Sequence, residues 1–167
     1  MKSGNVLVTV VIPVFNTAEY LNEAIGSILR QSLQELEIVA IDDCSSDNSL
    51  QILRELAAAD SRIKVIAMPQ NQGQSVCRNK GLEIAKGEYI YFFDSDDILE
   101  EDCLQLCYEK CTELHTDLLL FDGKSFTENG LSLEFNPKYD RTGFFTKSVS
   151  TGLETIETMY KNKAYSC

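Results

Sequence analysis

Short apolar stretches rich in β-branched residues recur along the chain. Each ends on polar or acidic side chains, and a segment of helical periodicity follows. Val6 to Val14 reads as a strand buried on both faces and runs into Phe15-Asn16. Glu37 to Ile41 is a second strand closing on Asp42-Asp43. Arg62 to Ala67 is a third, followed by the loop Asn71-Gln72-Gly73-Gln74. Tyr89 to Phe93 is a fourth, running into Asp94-Ser95-Asp96-Asp97. Asp117 to Asp122 reads as a fifth. Strands that alternate with helices imply an α/β fold with a parallel sheet and right-handed crossovers. All the strands then end at one edge, where ligands bind at the point of strand-order reversal.

The intervening segments supply the helices. Asn16 and Glu19 are spaced like a capping box, and Leu21, Ala24, Ile25, Ile28 and Leu29 follow at helical spacing. Ser45-Ser46-Asp47-Asn48 is a turn and cap cluster ahead of a helix whose apolar face is Ile52, Leu53, Leu56 and Ala57. A third helix is expected from Ser75 to Lys86, with Gly87 as its C-terminal cap. A fourth is expected to carry Glu100, Glu101 and Asp102 in its first turn, where the helix dipole favours negative charge. Lys124 to Phe145 suggests a hairpin or loop, and Thr151 to Lys161 a last helix.

Charge and cysteine usage narrow the class. With 15 Lys+Arg against 26 Asp+Glu the net charge is −11. That argues against a nucleic-acid partner, whose binding rests on neutralising phosphates, and against broad adsorption to anionic lipid. The longest apolar stretch falls far short of the roughly 20 residues needed to span a bilayer, and no signal-peptide pattern opens the chain. A cytoplasmic location is therefore expected, with room for peripheral association at the inner face of the membrane. Cys103, Cys107 and Cys111 recur along one helical stripe and read as packed apolar residues rather than a metal or redox set. His115, the only histidine, falls at the end of the fourth helix and reads as a surface residue.

The chemistry concentrates at the strand ends. Asp42 and Asp43 follow the second strand, and Asp94, Asp96 and Asp97 follow the fourth. Crowded carboxylates repel one another and persist where a cation neutralises them or some are protonated. Hard divalent cations take oxygen ligands, often one or two carboxylates plus substrate phosphates, so the Asp94-x-Asp96-Asp97 run suggests a metal-bridged diphosphate. A solvated acidic turn capping the fourth helix is the competing reading. The first strand–helix turn contains no glycine, so both the dinucleotide fingerprint and the P-loop pattern are absent. Arg78 and Asn79 belong to the third helix, where they touch phosphate, fix the acidic loops, or form a solvated face. Phe15 either stacks on a base or packs in the core. A phosphoacceptor receiver domain also pairs acids at strand ends, but after the first strand rather than the second and fourth.

Val-Thr-Val-Val-Ile-Pro-Val-Phe-Asn (Val8 to Asn16), Tyr20 to Ser32, Glu37 to Ser49, Asn71 to Gly81 and Ala85 to Asp97 together resemble, in order and spacing, the start of a family 2 glycosyltransferase. The resemblance implies the Rossmann-like GT-A fold, a mostly parallel central sheet with helices on both faces. It implies transfer of a sugar from a nucleotide-diphosphate sugar, commonly a UDP-sugar, to a saccharide or lipid-linked acceptor, with inversion and with Mn²⁺ or Mg²⁺. Carried over by position, Pro13, Phe15 and Asn16 lie by the nucleotide, and Asp43 accepts a hydrogen bond from the base. Asp96 lies by ribose and metal, Asp97 is a direct metal ligand, Asp94 supports the loop, and Arg78 and Asn79 assist. Cys44 stands where the family usually has Gly, and Cys77 where it usually has Ala. Family members normally continue well beyond this length with an acceptor-binding half that supplies the catalytic base. The expectation is therefore a nucleotide-sugar-binding core over residues 1–122 and the start of an acceptor-side region over 123–167, in a single domain, with the base beyond Cys167. A non-catalytic nucleotide-sugar-binding module, or an inactive truncated fragment, is the alternative.

Overall fold

The computed structural model describes residues 5–121 and 123. The elements run β1 (Val8–Val14), α1 (Leu21–Leu29), β2 (Leu36–Asp42), α2 (Ser49–Ala59), β3 (Ile63–Ala67), α3 (Gln74–Ile84), β4 (Tyr89–Phe92) and α4 (Cys103–Leu114). The sheet has the order β3-β2-β1-β4 and every pairing is parallel. The chain therefore builds outward from β1 to β3 and returns to add β4 on the other side of β1. The order reverses between β1 and β4, which makes their C-terminal ends the expected binding crevice.

Period-2 alternation sorts β1 and β2 between two cores. Val8, Val10, Ile12 and Val14 join Leu36, Ile38 and Ala40 against Leu21, Ala24, Ile25 and Ile28 of α1 and Leu53 of α2. Val11, Val39 and Ile41 face the other way, against Cys77 of α3. Helices thus cover both faces, and β1 and β2 are buried along their whole length. The approach of α3 is close. A Cβ at Gly81 would overlap the Val11 side chain, and one at Gly87 would run into the Thr9 amide nitrogen.

That tight approach corrects one expectation. Gly87 is not the cap of α3, which ends at Ile84 with Ala85 as its C-cap. Glycine is needed at 87 because the chain passes against the β1 backbone. The segment is fixed by Thr9 and Glu37 on the α3 side of the sheet. The Gly87 amide donates to Thr9 Oγ1 at 2.8 Å, the Lys86 amide to Glu37 Oε1 at 2.7 Å, and Thr9 Oγ1 to Glu37 Oε1 at 2.8 Å. Lys64 on β3 pairs with the other Glu37 oxygen.

Both expected N-terminal signals are also corrected. The α1 helix begins at Leu21 with Tyr20 as its N-cap and no side-chain cap bond. Asn16 caps no helix, because its side chain is used between loops, as described below. Glu100, Glu101 and Asp102 precede α4 rather than forming its first turn, since the helix starts at Cys103. Its start is held instead by side chains in and just after α1. The buried Gln31 accepts from the Leu104 amide at 2.9 Å and donates to the Glu100 carbonyl at 2.6 Å, while Ser27 Oγ accepts from the Leu99 amide at 3.1 Å. His115 follows α4 in the left-handed region at φ 51°, exposed, as a helix-ending residue.

The expected fifth strand is not formed over residues 117–121. The expected hairpin over 124–145 and helix over 151–161 lie outside the described residues. The chain divides into compact units Met1–Glu109 and Lys110–Cys167. Among the described residues no helix is long and apolar enough to cross a membrane.

Candidate functional site

The loops at the C-terminal edge of the sheet are joined to one another by side chains. After β1, Asn16 adopts φ 54°, a left-handed conformation that asparagine tolerates. There its Oδ1 accepts from the Ser46 amide at 2.8 Å and the Asp47 amide at 3.4 Å, and its own amide donates to Ser45 Oγ at 3.1 Å. Asp47 returns the link by accepting from the Ala18 amide at 3.0 Å. Burial pulls the Asp47 carboxyl upward, but donors from Ser49 and Ala18 outweigh it and leave it below the usual carboxylate range. The loops after β1 and β2 are in this way one structure.

Asp43 extends the link to α3. It is buried just past β2, its amide donating to the Val14 carbonyl at 2.8 Å. Its Oδ1 accepts from the Gln72 amide at 2.8 Å and its Oδ2 from the Gly73 amide at 2.7 Å. Gly73 sits at φ 87° and is the N-cap of α3. A side chain there would be strained, so glycine is what lets the loop turn its amides onto the carboxylate. The negative charge also lies at the positive end of the helix dipole.

From α3 the connection reaches the loop after β4. Arg78 Nη2 and Gln74 Nε2 both donate to Asp94 Oδ1, at 2.9 and 3.0 Å. The Arg78 guanidinium carbon also lies 5.8 Å from the Phe92 ring centroid, within cation–π range. The circuit closes where Thr17 Oγ1, after β1, donates to Ser95 Oγ at 2.9 Å. Loop after β1, loop after β2, α3 and loop after β4 therefore form a closed ring of hydrogen bonds around the switch point.

Pro13 helps to release the last loop. The β1–β4 register ends at Val11 opposite Phe92, with the Phe93 amide donating to the Val11 carbonyl at 3.0 Å. By the alternation of a parallel ladder the next β1 donor toward β4 belongs to residue 13, and proline has no N–H. Pairing stops there, and Asp94 to Asp97 turn away, closed by an Asp97 amide to Asp94 carbonyl bond of 3.1 Å.

Most of the residues singled out by sequence thus lie in or on this ring. Asn16, Asp43, Arg78 and Asp94 are built into it, and Pro13 stands beside it near the end of β1. Phe15 is about half exposed beside it, at 48%, which separates it from the core reading. Asp96 and Asp97 are exposed on the β4 loop. Asn79 is exposed on α3 and makes none of the bonds that hold the loops. Thr17, Ser95 and Gln74 are additions. Gln74 was detectable, because it stands one helical turn before Arg78 and so shares its face. The Thr17–Ser95 bond had no local signal.

The β4 loop crowds its carboxylates together. Desolvation, then the charges of Asp94 and Asp96, hold the Asp97 carboxyl above its usual value. Arg78 pairs with Asp94, and among the described residues no ion pair involves Asp96 or Asp97. Among the described residues no three metal-ligating side chains gather. This donor set fits a hard ion that takes one or two carboxylates from the protein and its remaining oxygens from a bound anion.

A family model described as Glycosyl transferase family 2 matches residues 9–166. Glycosyltransferase GlyG of Streptococcus pneumoniae serotype 4 is 36% identical over 123 residues, covering 74% of this chain and 41% of that protein. The chain spans about two-fifths of the length of such curated relatives. Among solved structures, S. aureus TarS 1–349 in complex with UDP-GlcNAc aligns with a TM-score of 0.69 at 32% identity, over 75% of this chain and 37% of that one. The mannosyltransferase PcManGT from Pyrobaculum calidifontis, in complex with GDP-Man and Mn²⁺, aligns with a TM-score of 0.52 at 26% identity, over 55% and 28%. The fold is that of the GT-A glycosyltransferases.

Proposed function

The chain belongs to glycosyl transferase family 2, and on that footing we propose that it carries the donor site of an enzyme that moves a sugar from a UDP-sugar to a saccharide or lipid-linked acceptor. The observation that carries this reading is the closed ring of loops around the β1–β4 switch point, because it brings Asn16, Asp43, Arg78 and Asp94 to one edge. The UDP-GlcNAc complex of TarS and the GDP-Man and Mn²⁺ complex of PcManGT support a nucleotide-sugar donor and a divalent cation. The core over residues 1–122 binds the donor, and the region from 123 onward begins the acceptor side. The work is done on the cytoplasmic side, with peripheral association at the membrane face.

Each residue's task follows from its place. Asp43, held by two backbone amides, offers an acceptor to an N–H of the base. Phe15 presents its ring for stacking. Asn16 is committed to the Ser46 and Asp47 amides and so shapes the loop that receives the nucleotide. Arg78 and Gln74 fix Asp94, and through it the turn bearing Asp96 and Asp97, with Asn79 exposed one position on from Arg78. Those two carboxylates would hold Mn²⁺ or Mg²⁺, which supplies electrostatic stabilisation of the charge that develops on the leaving diphosphate. The chain's own contribution is positioning, since a donor fixed in one geometry has already lost the freedom that would slow attack at its anomeric carbon. Inversion follows from a single displacement at that carbon.

Calorimetry with UDP and Mn²⁺ tests the reading. Wild type should bind UDP more tightly with the ion than without. In Asp97→Ala the gain from Mn²⁺ should fall by about tenfold or more, with thermal stability retained. Equal metal dependence in the two proteins would contradict the assignment.

A further inference from the structure

Residues 93–102 join β4 to α4 without forming strand or helix, and Asp96 and Asp97 stand in their midst. The backbone of such a segment needs hydrogen-bond partners from elsewhere. Ahead of the two carboxylates it is fixed by contacts that solvent reaches, those of Arg78 and Gln74 with Asp94 and of Thr17 with Ser95. Behind them it is fixed by two side chains that solvent does not reach, Ser27 at 1% and Gln31 at 0% exposed. Ser27 Oγ accepts from the Leu99 amide at 3.1 Å, two residues past Asp97. Gln31 Nε2 donates to the Glu100 carbonyl at 2.6 Å and to the Ser27 carbonyl at 3.2 Å. Its Oε1 accepts at 2.9 Å from the Leu104 amide, one of the free amides that open α4. The Ser32 amide adds a bond to the Glu101 carbonyl at 2.7 Å. Leu99 and Leu104 enter the core that α1 covers, so packing holds the same stretch. Gln31 stands three residues after the buried Ile28, where an apolar side chain would serve packing alone.

We propose that Gln31 and Ser27 are positioning residues for the divalent cation: they touch neither ion nor nucleotide, and by tying residues 99–104 to α1 they set where the Asp96 and Asp97 carboxylates stand. The inference rests on the nucleotide-sugar reading given above. Asp94 and Ser95 are anchored on one side and Leu99 on the other, so only residues 96–98 lie between fixed points. A hard cation takes its oxygens at about 2.0–2.5 Å, and a carboxylate displaced by about an ångström no longer ligates well. The anchor behind the carboxylates is the stiffer of the two. Its hydrogen bonds are shielded from water, which strengthens them, and breaking one leaves a buried backbone group unpaired.

The test is UDP affinity with and without Mn²⁺, measured by calorimetry on the full chain alongside the thermal midpoint. Gln31→Met keeps an unbranched side chain of similar length and loses all three side-chain bonds. Its affinity for UDP alone should stay within about twofold of wild type, because Asp43 and Phe15 are untouched, while the gain from Mn²⁺ should fall by on the order of tenfold. Ser27→Ala removes one hydroxyl, and with it the bond to the Leu99 amide, and should lower the gain by about threefold. Residues that only hold the fold together would lower the midpoint and weaken both affinities by one factor. A wild-type Mn²⁺ gain in both folded variants therefore overturns the positioning role while the nucleotide-sugar reading stands. If Gln31→Met fails to fold, Ser27→Ala decides: a reduced gain upholds the proposal and a wild-type gain overturns it. Wild type whose UDP affinity does not respond to Mn²⁺ overturns the cation assignment and this inference together.

Discussion

Cys44 adopts φ 61° immediately after Asp43, in the region where a Cβ crowds the following carbonyl. The family resemblance has glycine there, and judged by size alone the exchange for cysteine looks harmless. The backbone gives the reason for glycine, which is conformation rather than volume. Replacing Cys44 by Gly relieves the crowding but adds freedom to the unfolded chain. The balance should be a gain of about 0.5–1 kcal/mol, seen as a rise of a few degrees in the thermal midpoint. A lowered midpoint would contradict the strain argument. Glu37 is a residue of the opposite kind, a buried charge fully engaged. Burial works to raise its carboxyl, but bonds from Lys64, Thr9 and the Lys86 amide outweigh that and leave it below the ordinary value of 4.5. A depressed carboxylate stabilises the fold above its unfolded value, and the stability is lost as pH falls through the folded one. Glu37→Gln should therefore be less stable than wild type by about 1–3 kcal/mol at pH 7. In urea titrations at a series of pH values the gap should close below pH 4.5. A gap independent of pH would show that Glu37 acts through packing alone.

The elements show where local pattern is a sufficient guide and where it is not. The apolar periodicity of α1 and α2 and the β-branched runs of β1 and β2 were legible, because burial on a given face depends on spacing that the sequence displays directly. The caps were not. Asn16 and Gln31 are polar residues close to helix ends, yet Asn16 serves the Ser46 and Asp47 amides and Gln31 serves the start of α4. Their partners are far along the chain, so no local spacing announces them. The seating of α3 depends likewise on tertiary context. Gly81 is read locally as a weak point in a helix, but it is the contact that lets α3 lie on Val11. Gly81→Ala should improve helix propensity and still destabilise the protein by about 1–3 kcal/mol, because the methyl group must force α3 off the sheet. Since α3 carries Gln74 and Arg78, the same variant should weaken UDP binding. A more stable variant with intact affinity would contradict the close-packing account.

In the molecule as a whole, topology does most to make a site. Asp43 and Asp94 follow strands on opposite sides of β1, and the sheet order brings their loops to the same edge. The direction of the strands was legible from the alternation of elements, and with it the expectation that the acids share an edge. The closing of that edge into a ring was not, because it depends on Thr17, Ser95 and Gln74, which carry no pattern of their own. The measurement that reaches the central claim most directly is backbone NMR of the labelled chain, titrated with UDP and Mg²⁺ and then with trace Mn²⁺ in place of Mg²⁺. The account predicts shifts grouped at residues 13–16, 43–47 and 72–79, with paramagnetic broadening centred on Asp96 and Asp97. Broadening centred at the opposite edge of the sheet, near Arg62 and Gly87, or no response to nucleotide at all, would contradict it.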